Sequence, residues 1–280
     1  MRMMLLAAAA MLAVPAGFAL PAATAHAQAV EATLAAVLAD PRRDADKARD
    51  PHRHPGETLA FFQVRPGMTV VDYLPAGGWF TRIIAPYLGP NGHYIAMGPD
   101  LTGETNQYFL NSMGGLAEKF PGQAAGWNLG ASAAISAFNV DGYPQNLDGT
   151  VDRVLIFREL HNQLRFGWLN KDMLTIRRML KPGGMLGIED HRMFETAPYA
   201  MTDGSKGYLR ESDVIALMNV YGFDLVAKSE INANPKDTKD YPGGVWTLPP
   251  GMRGATDANR AQLMAIGESD RMTLLFRKRD

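Results

Sequence analysis

Met68-Thr69-Val70-Val71-Asp72-Tyr73 leads into Leu74-Pro75-Ala76-Gly77-Gly78, with Trp79 directly after. The β-branched run, entered from the Pro66-Gly67 turn, predicts a buried strand. The Pro-Ala-Gly-Gly segment predicts a tight turn, and Trp79, Ile83, Ile84 and Leu88 predict a helix beyond it. Gly92 to Met97 reads as a second strand, so the stretch is one strand–loop–helix–strand unit.

The same alternation continues outward. Val151 to Phe157 predicts a strand, Leu169, Met173, Ile176 and Leu180 share one helical face, and Lys181-Pro182-Gly183-Gly184 ends that helix. Met185 to Glu189 predicts the next strand. A helix with Val214, Leu217, Met218 and Tyr221 on one face stops at Gly222, Phe223 to Ala227 resumes as a strand, and Met272 to Phe276 closes the chain. Strands alternating with helices imply an α/β fold, a parallel sheet covered on both faces. Upstream, Val30 to Ala39 and Glu57 to Phe62 predict short helices, and residues 41–53 between them read as an exposed polar arm. Residues 234–265, rich in Pro, Gly and Asp, read as an insertion before the last strand.

These residues resemble class I S-adenosylmethionine-dependent methyltransferases. The resemblance lies in Val70-Val71-Asp72 with Gly77-Gly78, the strand ending Phe157-Arg158-Glu159-Leu160-His161-Asn162, and Leu180-Lys181-Pro182-Gly183-Gly184 before Met185. More closely, the chain is similar to a group of exported bacterial predicted methyltransferases, through His54-Pro55-Gly56-Glu57, Pro66-Gly67-Met68, Gly77-Gly78-Trp79, His161-Asn162, His191-Arg192 and Ser269-Asp270-Arg271. The resemblance implies a doubly wound Rossmann-like sheet, mostly parallel with an antiparallel last strand. It also implies S-adenosylmethionine as cofactor and a small molecule as methyl acceptor. The cofactor would be held by Asp72, Leu74, Pro75, Ala76, Gly77, Gly78, Trp79 and Asp100. The family pattern is an acid followed by glycines at the second, fourth and sixth positions; here those positions are Leu74, Ala76 and Gly78. The acid expected at the end of the second strand is absent or displaced to Asp100, since that strand ends Ala96-Met97-Gly98-Pro99.

The first residues point to export. Arg2, an apolar run from Met3 to Ala13, Pro15 and Gly17, and the small-residue sequence Ala23-Thr24-Ala25-His26-Ala27 make the three parts of a signal peptide. Residues 1–27 are thus expected to be removed after Ala27 (or after Ala25), leaving a periplasmic or secreted protein without a membrane span. Residues 28–54 would form an N-terminal helix and arm, and 55–280 the α/β domain. With 28 Lys+Arg against 29 Asp+Glu, a net charge of −1 gives no electrostatic case for nucleic-acid binding. Zero cysteines exclude thiol nucleophiles and Cys-ligated metals, and they suit an oxidising compartment.

Chemistry must then come from other side chains. His161 with Asn162, and His191 with Arg192, each follow a strand, where doubly wound sheets place their sites. Asp190 lies beside them, as do Glu159 and Glu189. A histidine next to carboxylates is a candidate general base, and Arg192 a candidate clamp for a substrate carboxylate. Trp79 either lines the pocket or begins the core of its helix; Tyr208 and Arg210 either face the cleft or serve structure. Asp270-Arg271 reads as an ion pair fixing the tail, and Arg42-Arg43 as a solvated face. His52 and His54, two apart on an extended arm, would share a face and could join His161, His191 or Asp190 around a metal. Three functions stay open: a methyltransferase, a different and metal-assisted enzyme on the same fold, and a non-enzymatic periplasmic binding protein.

Overall fold

A computed structural model describes residues 22–280; the apolar run of the expected leader, through residue 21, lies outside the described residues. The chain opens with α1 (Ala22–Ala39), two 3₁₀ turns at Pro41–Arg43 and Lys47–Arg49, α2 (Asp50–Arg53) and α3 (Pro55–Phe61). The alternating body follows: β1 (Thr69–Tyr73), α4 (Thr81–Leu88), β2 (His93–Gly98), α5 (Gln107–Met113), α6 (Leu116–Ala125) and β3 (Ala134–Asn139). Then come β4 (Val151–Phe157), α7 (Leu160–Arg165), α8 (Leu169–Met179), β5 (Leu180–Met193), β6 (Leu209–Arg210), α9 (Glu211–Val220) and β7 (Phe223–Ser229). The chain closes with α10 (Arg260–Ile266) and β8 (Arg271–Lys278).

The strands lie in the order β3-β2-β1-β4-β5-β8-β7, with the short β6 beside β5. Pairs from β3 to β5 are parallel, while β8 runs antiparallel to both β5 and β7. This is the mixed, doubly wound α/β sheet expected from the strand pattern. Alternation along β1 distributes its side chains between two cores: Val71 and Tyr73 join Met173, Ile176 and Met218 on one face, and Val70 joins Ile83, Ile84 and Tyr94 on the other. The apolar runs of the central strands reflect this two-sided burial.

Several expectations are corrected. The polar arm is not extended: it is folded into helical turns, and although many of its residues are exposed as expected, Arg43 and Arg53 are buried, at 2% and 5% exposure. Of the expected solvated pair, Arg42 is exposed and bound to Asp40, whereas Arg43 is buried and pairs with Asp50. Lys181-Pro182-Gly183-Gly184 does not separate helix from strand, because α8 passes into β5 at Leu180 and these four residues form an irregularity in the strand. Asp270 and Arg271 do not pair with one another: Asp270 binds Arg192 and Lys239, while Arg271 binds Glu189 and Glu268. Residues 99–139 show α5, α6 and β3, for which the pattern reading assigned nothing. Their apolar side chains are sparse, with Phe120 and Ala124 the buried residues of α6. Among the described residues no helix is long and apolar enough to cross a membrane.

Candidate functional site

A cavity of about 450 Å³ opens at the C-terminal ends of β1, β4 and β5. Its walls are the Asp72–Gly77 loop, the β4 end from Phe157 to Asn162, His191, the N-terminal arm and the 245–251 turn. Residues from five distant segments therefore meet at the sheet edge where a doubly wound fold places its ligands.

The β1 loop keeps an unusual backbone. Leu74 (φ 48°), Ala76 (φ 47°) and Gly78 (φ 75°) are all left-handed, although only the last is glycine. Each non-glycine residue held there costs roughly 1–2 kcal/mol, so surrounding contacts must enforce the turn. Arg82 supplies one such contact, donating to the Gly77 carbonyl at 2.8 Å. Its guanidinium also grips the Asp46 carboxylate at 2.6 and 2.7 Å, and the Trp79 indole donates to the Asp46 carbonyl at 3.2 Å. The arm is thereby tied across the loop. Behind it, Asp72 is fully buried and accepts from the Tyr94 hydroxyl at 2.7 Å. Burial pushes its carboxyl from the usual 3.8 up to about 7, against the lowering effect of that hydrogen bond.

The opposite wall carries the histidines. Asp190 is fully buried and accepts the His161 backbone N–H at 3.0 Å and the His191 backbone N–H at 2.7 Å. Its Oδ1 also lies 2.9 Å from His161 Nδ1. A carboxylate there fixes the tautomer with hydrogen on Nδ1, leaving the Nε2 lone pair free. His161 Nε2 is buried and has no hydrogen-bond partner. His191 stands with its ring 5.2 Å from that of His161, and its Nδ1 lies 2.6 Å from Ser269 Oγ. Burial, with His161 and the arginines Arg271, Arg158 and Arg53 nearby, holds His191 well below the usual histidine range and therefore neutral. Asn162 donates to Glu159 at 2.7 Å, and burial raises the Glu159 carboxyl to about 7.

Not every expected residue joins this cavity. Arg192 is no substrate clamp: its guanidinium is occupied by Glu230, Asp270 and Glu211 and lines a separate charged groove. Asp100 is turned away, paired with Lys171 at 2.8 Å and capping Thr102. His52 and His54 do not meet the other histidines; His54 Nδ1 lies 3.4 Å from Asn232, and the His52 ring packs beside Gly267. The cluster able to surround a metal comprises His161, Asp190 and His191. Tyr208 is buried against Asp237, and Arg210 pairs with Asp213. Trp79 resolves its two readings by doing both, packed in the core and lining the cavity. Sequence reading missed Arg49 and Arg53 of the arm, Trp246 of the 234–265 segment and Glu268 just before β8. No local motif marks them, because they reach the site only through tertiary packing.

No family model and no curated protein matches the chain. Solved structures are similar in fold. The 4+2 cyclase SpnF superposes with a TM-score of 0.51 at 14% identity, over 81% of this chain and 80% of that one. A SAM-dependent methyltransferase from Aquifex aeolicus gives 0.48 at 18% identity, covering 72% of this chain and 93% of that chain. The 1,6-didemethyltoxoflavin-N1-methyltransferase of Burkholderia thailandensis, solved with its substrate and S-adenosylhomocysteine, gives 0.47 at 15% identity, covering 95% and 94%. At such identities the likeness concerns the fold, which alone does not fix a chemistry.

The fit of S-adenosylmethionine can be judged on the residues present. The left-handed turn at 74, 76 and 78 lets the backbone approach the amino-acid end of such a ligand, and Asp72 and Gly77 line the cavity there. The ribose end has lost its acid. Gly98 occupies the end of β2, and a Cβ there would lie 2.4 Å from the Asn139 amide. That amide instead donates to the Pro99 and Met113 carbonyls at 3.3 and 2.9 Å. The backbone of the β1 loop is thus compatible with such a ligand, and no acid stands at the end of β2 to hold its ribose hydroxyls.

Proposed function

We propose that the chain is an exported enzyme that binds S-adenosylmethionine and methylates a small molecule in this cavity. The observation that carries the reading is the shared cavity: His161, held through Nδ1 by Asp190 and with its buried Nε2 unpartnered, lines the same space as the left-handed β1 loop. When bound, the cofactor supplies an electrophilic methyl group. The chain's own task is to orient the acceptor and remove its proton. His161 Nε2 would take the proton from an acceptor O–H or N–H, and Asp190 would stabilise the resulting imidazolium. The fixed geometry lowers the orientational cost of an in-line attack. Phe80 stacked on Phe157 at 3.6 Å, together with Trp79 and Trp246, keeps the cavity partly dry.

Calorimetry on the purified protein tests this. Saturable binding of S-adenosylmethionine and S-adenosylhomocysteine, weakened by Gly77→Val, supports it; no binding at millimolar ligand refutes it. Export is tested separately by sequencing the N-terminus of protein recovered from the periplasm, where Gln28 is the expected first residue.

A second reading has its own observation. One ligating atom each from His161, Asp190 and His191 lies within 4.8 Å of the others, a set suited to a divalent transition metal. Under it the enzyme is metal-assisted, and the imidazoles are ligands instead of bases. Stoichiometric metal in the purified protein, lost in His161→Ala and His191→Ala, would favour this reading.

A further inference from the structure

The cavity also has a basic side that the proton-transfer role leaves unused. Arg53 is 5% exposed and lines it. Its Nε donates to both Glu268 oxygens at 3.1 Å, and its guanidinium stacks on Trp79 at 4.7 Å. Its two terminal nitrogens make no hydrogen bond in the protein. Neither is among the fully enclosed atoms lacking a partner, so both reach the cavity. Arg158 lines the same space and gives Nη1 to Glu189 at 2.7 Å, with its remaining nitrogens likewise without a protein acceptor. Its backbone is left-handed at φ 59°, a cost accepted at the end of β4 for a non-glycine residue.

The neighbouring acids are already shared. Glu268 serves Arg49, Arg53 and Arg271, and Glu189 serves Arg158 and Arg271. Four guanidinium groups thus draw on two carboxylates. On the cavity's other side Asp72 is held near 7 by burial, so it offsets only part of the excess at neutral pH. Burial, assisted by Arg158 and Arg49, draws Arg53 down to about 8 against the opposing effect of Glu268 and Glu189.

We infer that Arg53 and Arg158 together anchor a carboxylate on the acceptor substrate, so that the enzyme acts on a small organic acid. The inference rests on the reading of this cavity as the reaction site. The acid group docks on the guanidinium donors, charge-assisted and planar-matched. The reacting hydroxyl or amine, elsewhere on the same molecule, then meets His161 Nε2. The anchor forms no covalent bond and transfers no proton.

The test compares benzoate with its neutral analogue benzamide by calorimetry on the wild-type protein, with inorganic phosphate as a third probe and S-adenosylmethionine titrated in parallel. Benzoate is expected to bind at least about tenfold more tightly than benzamide. Arg53→Met is expected to abolish that preference while leaving affinity for S-adenosylmethionine within about twofold. Arg53→Lys should restore part of it, and a thermal melt of each variant verifies folding. Equal binding of benzoate and benzamide, or no benzoate binding at 10 mM (about the weakest affinity of interest), overturns the inference. So does phosphate outcompeting benzoate, or a fall in S-adenosylmethionine affinity with benzoate unaffected, which would assign the arginine to the cofactor. Benzoate binding without S-adenosylmethionine binding would sink the methyltransferase reading and leave the carboxylate anchor standing.

Discussion

Asp72 shows how burial rewrites a residue that sequence alone marks as an acid. Its carboxyl is held near 7 by burial, which the Tyr94 hydrogen bond and the Arg158 charge only partly offset. A raised carboxyl is fully compatible with the fold below its unfolded value near 3.8; the penalty grows as pH rises toward 7 and is complete above it. Asp72→Asn, which can still accept from Tyr94, is therefore expected to match wild-type stability at pH 4. At pH 8 it should exceed it by on the order of 2–4 kcal/mol, measured by urea unfolding. His191 works with the opposite sign. Its depressed value means that the unfolded chain takes up a proton first, so stability falls as pH drops below about 6.5. His191→Gln should flatten that acid limb. At Ala76, relief of the left-handed backbone outweighs the added freedom of the unfolded chain. Ala76→Gly is expected to stabilise by about 0.5–1 kcal/mol in the same assay.

The elements differ in how far local sequence explains them. Strands β1, β2, β4 and β5 are visible because they are buried on both faces and so read as apolar runs. Strand β8 is visible too, but its place between β5 and β7 is not, since pairing depends on chain ends far apart in sequence. That placement sets Arg271 between Glu189 and Glu268, at 1% exposure, with its guanidinium also donating to the His52 carbonyl. The contact joins the last strand to the N-terminal arm. Removing one partner strands buried charge, so Arg271→Met is expected to destabilise by about 3–5 kcal/mol. Chemical unfolding checks the energy. The arm itself is held by Asp46, and Asp46→Ala should speed limited proteolysis within residues 41–53 while the sheet core stays resistant.

For the whole molecule, the site is assembled from parts that no single motif contains. His161, Asn162, Asp190 and His191 are legible because strand ends in a doubly wound sheet converge. Arg192 and Asp100 share that sequence position yet point to other partners, because alternation and local ion pairs, not proximity in sequence, decide which way a side chain faces. The arm looked solvated since its composition is polar, but Arg43 is buried against Asp50 of the arm itself, and Arg49 and Arg53 pair with Glu268, which arrives from the C-terminal end. Likewise the 234–265 segment looked like a bare insertion, and its Val245–Gly251 turn closes the cavity.

The sequence by itself determined the α/β architecture and the strand-end histidines. Periodicity and turn chemistry are local, and this fold places strand ends by rule. Only the tertiary structure decided that Leu74 and Ala76 keep a glycine-like turn, that Asp190 holds His161 through Nδ1 and leaves Nε2 unpartnered, and that Arg53 and Arg158 line the cavity with unmet donors. Each of those depends on desolvation and on partners many residues away, and a linear sequence records neither.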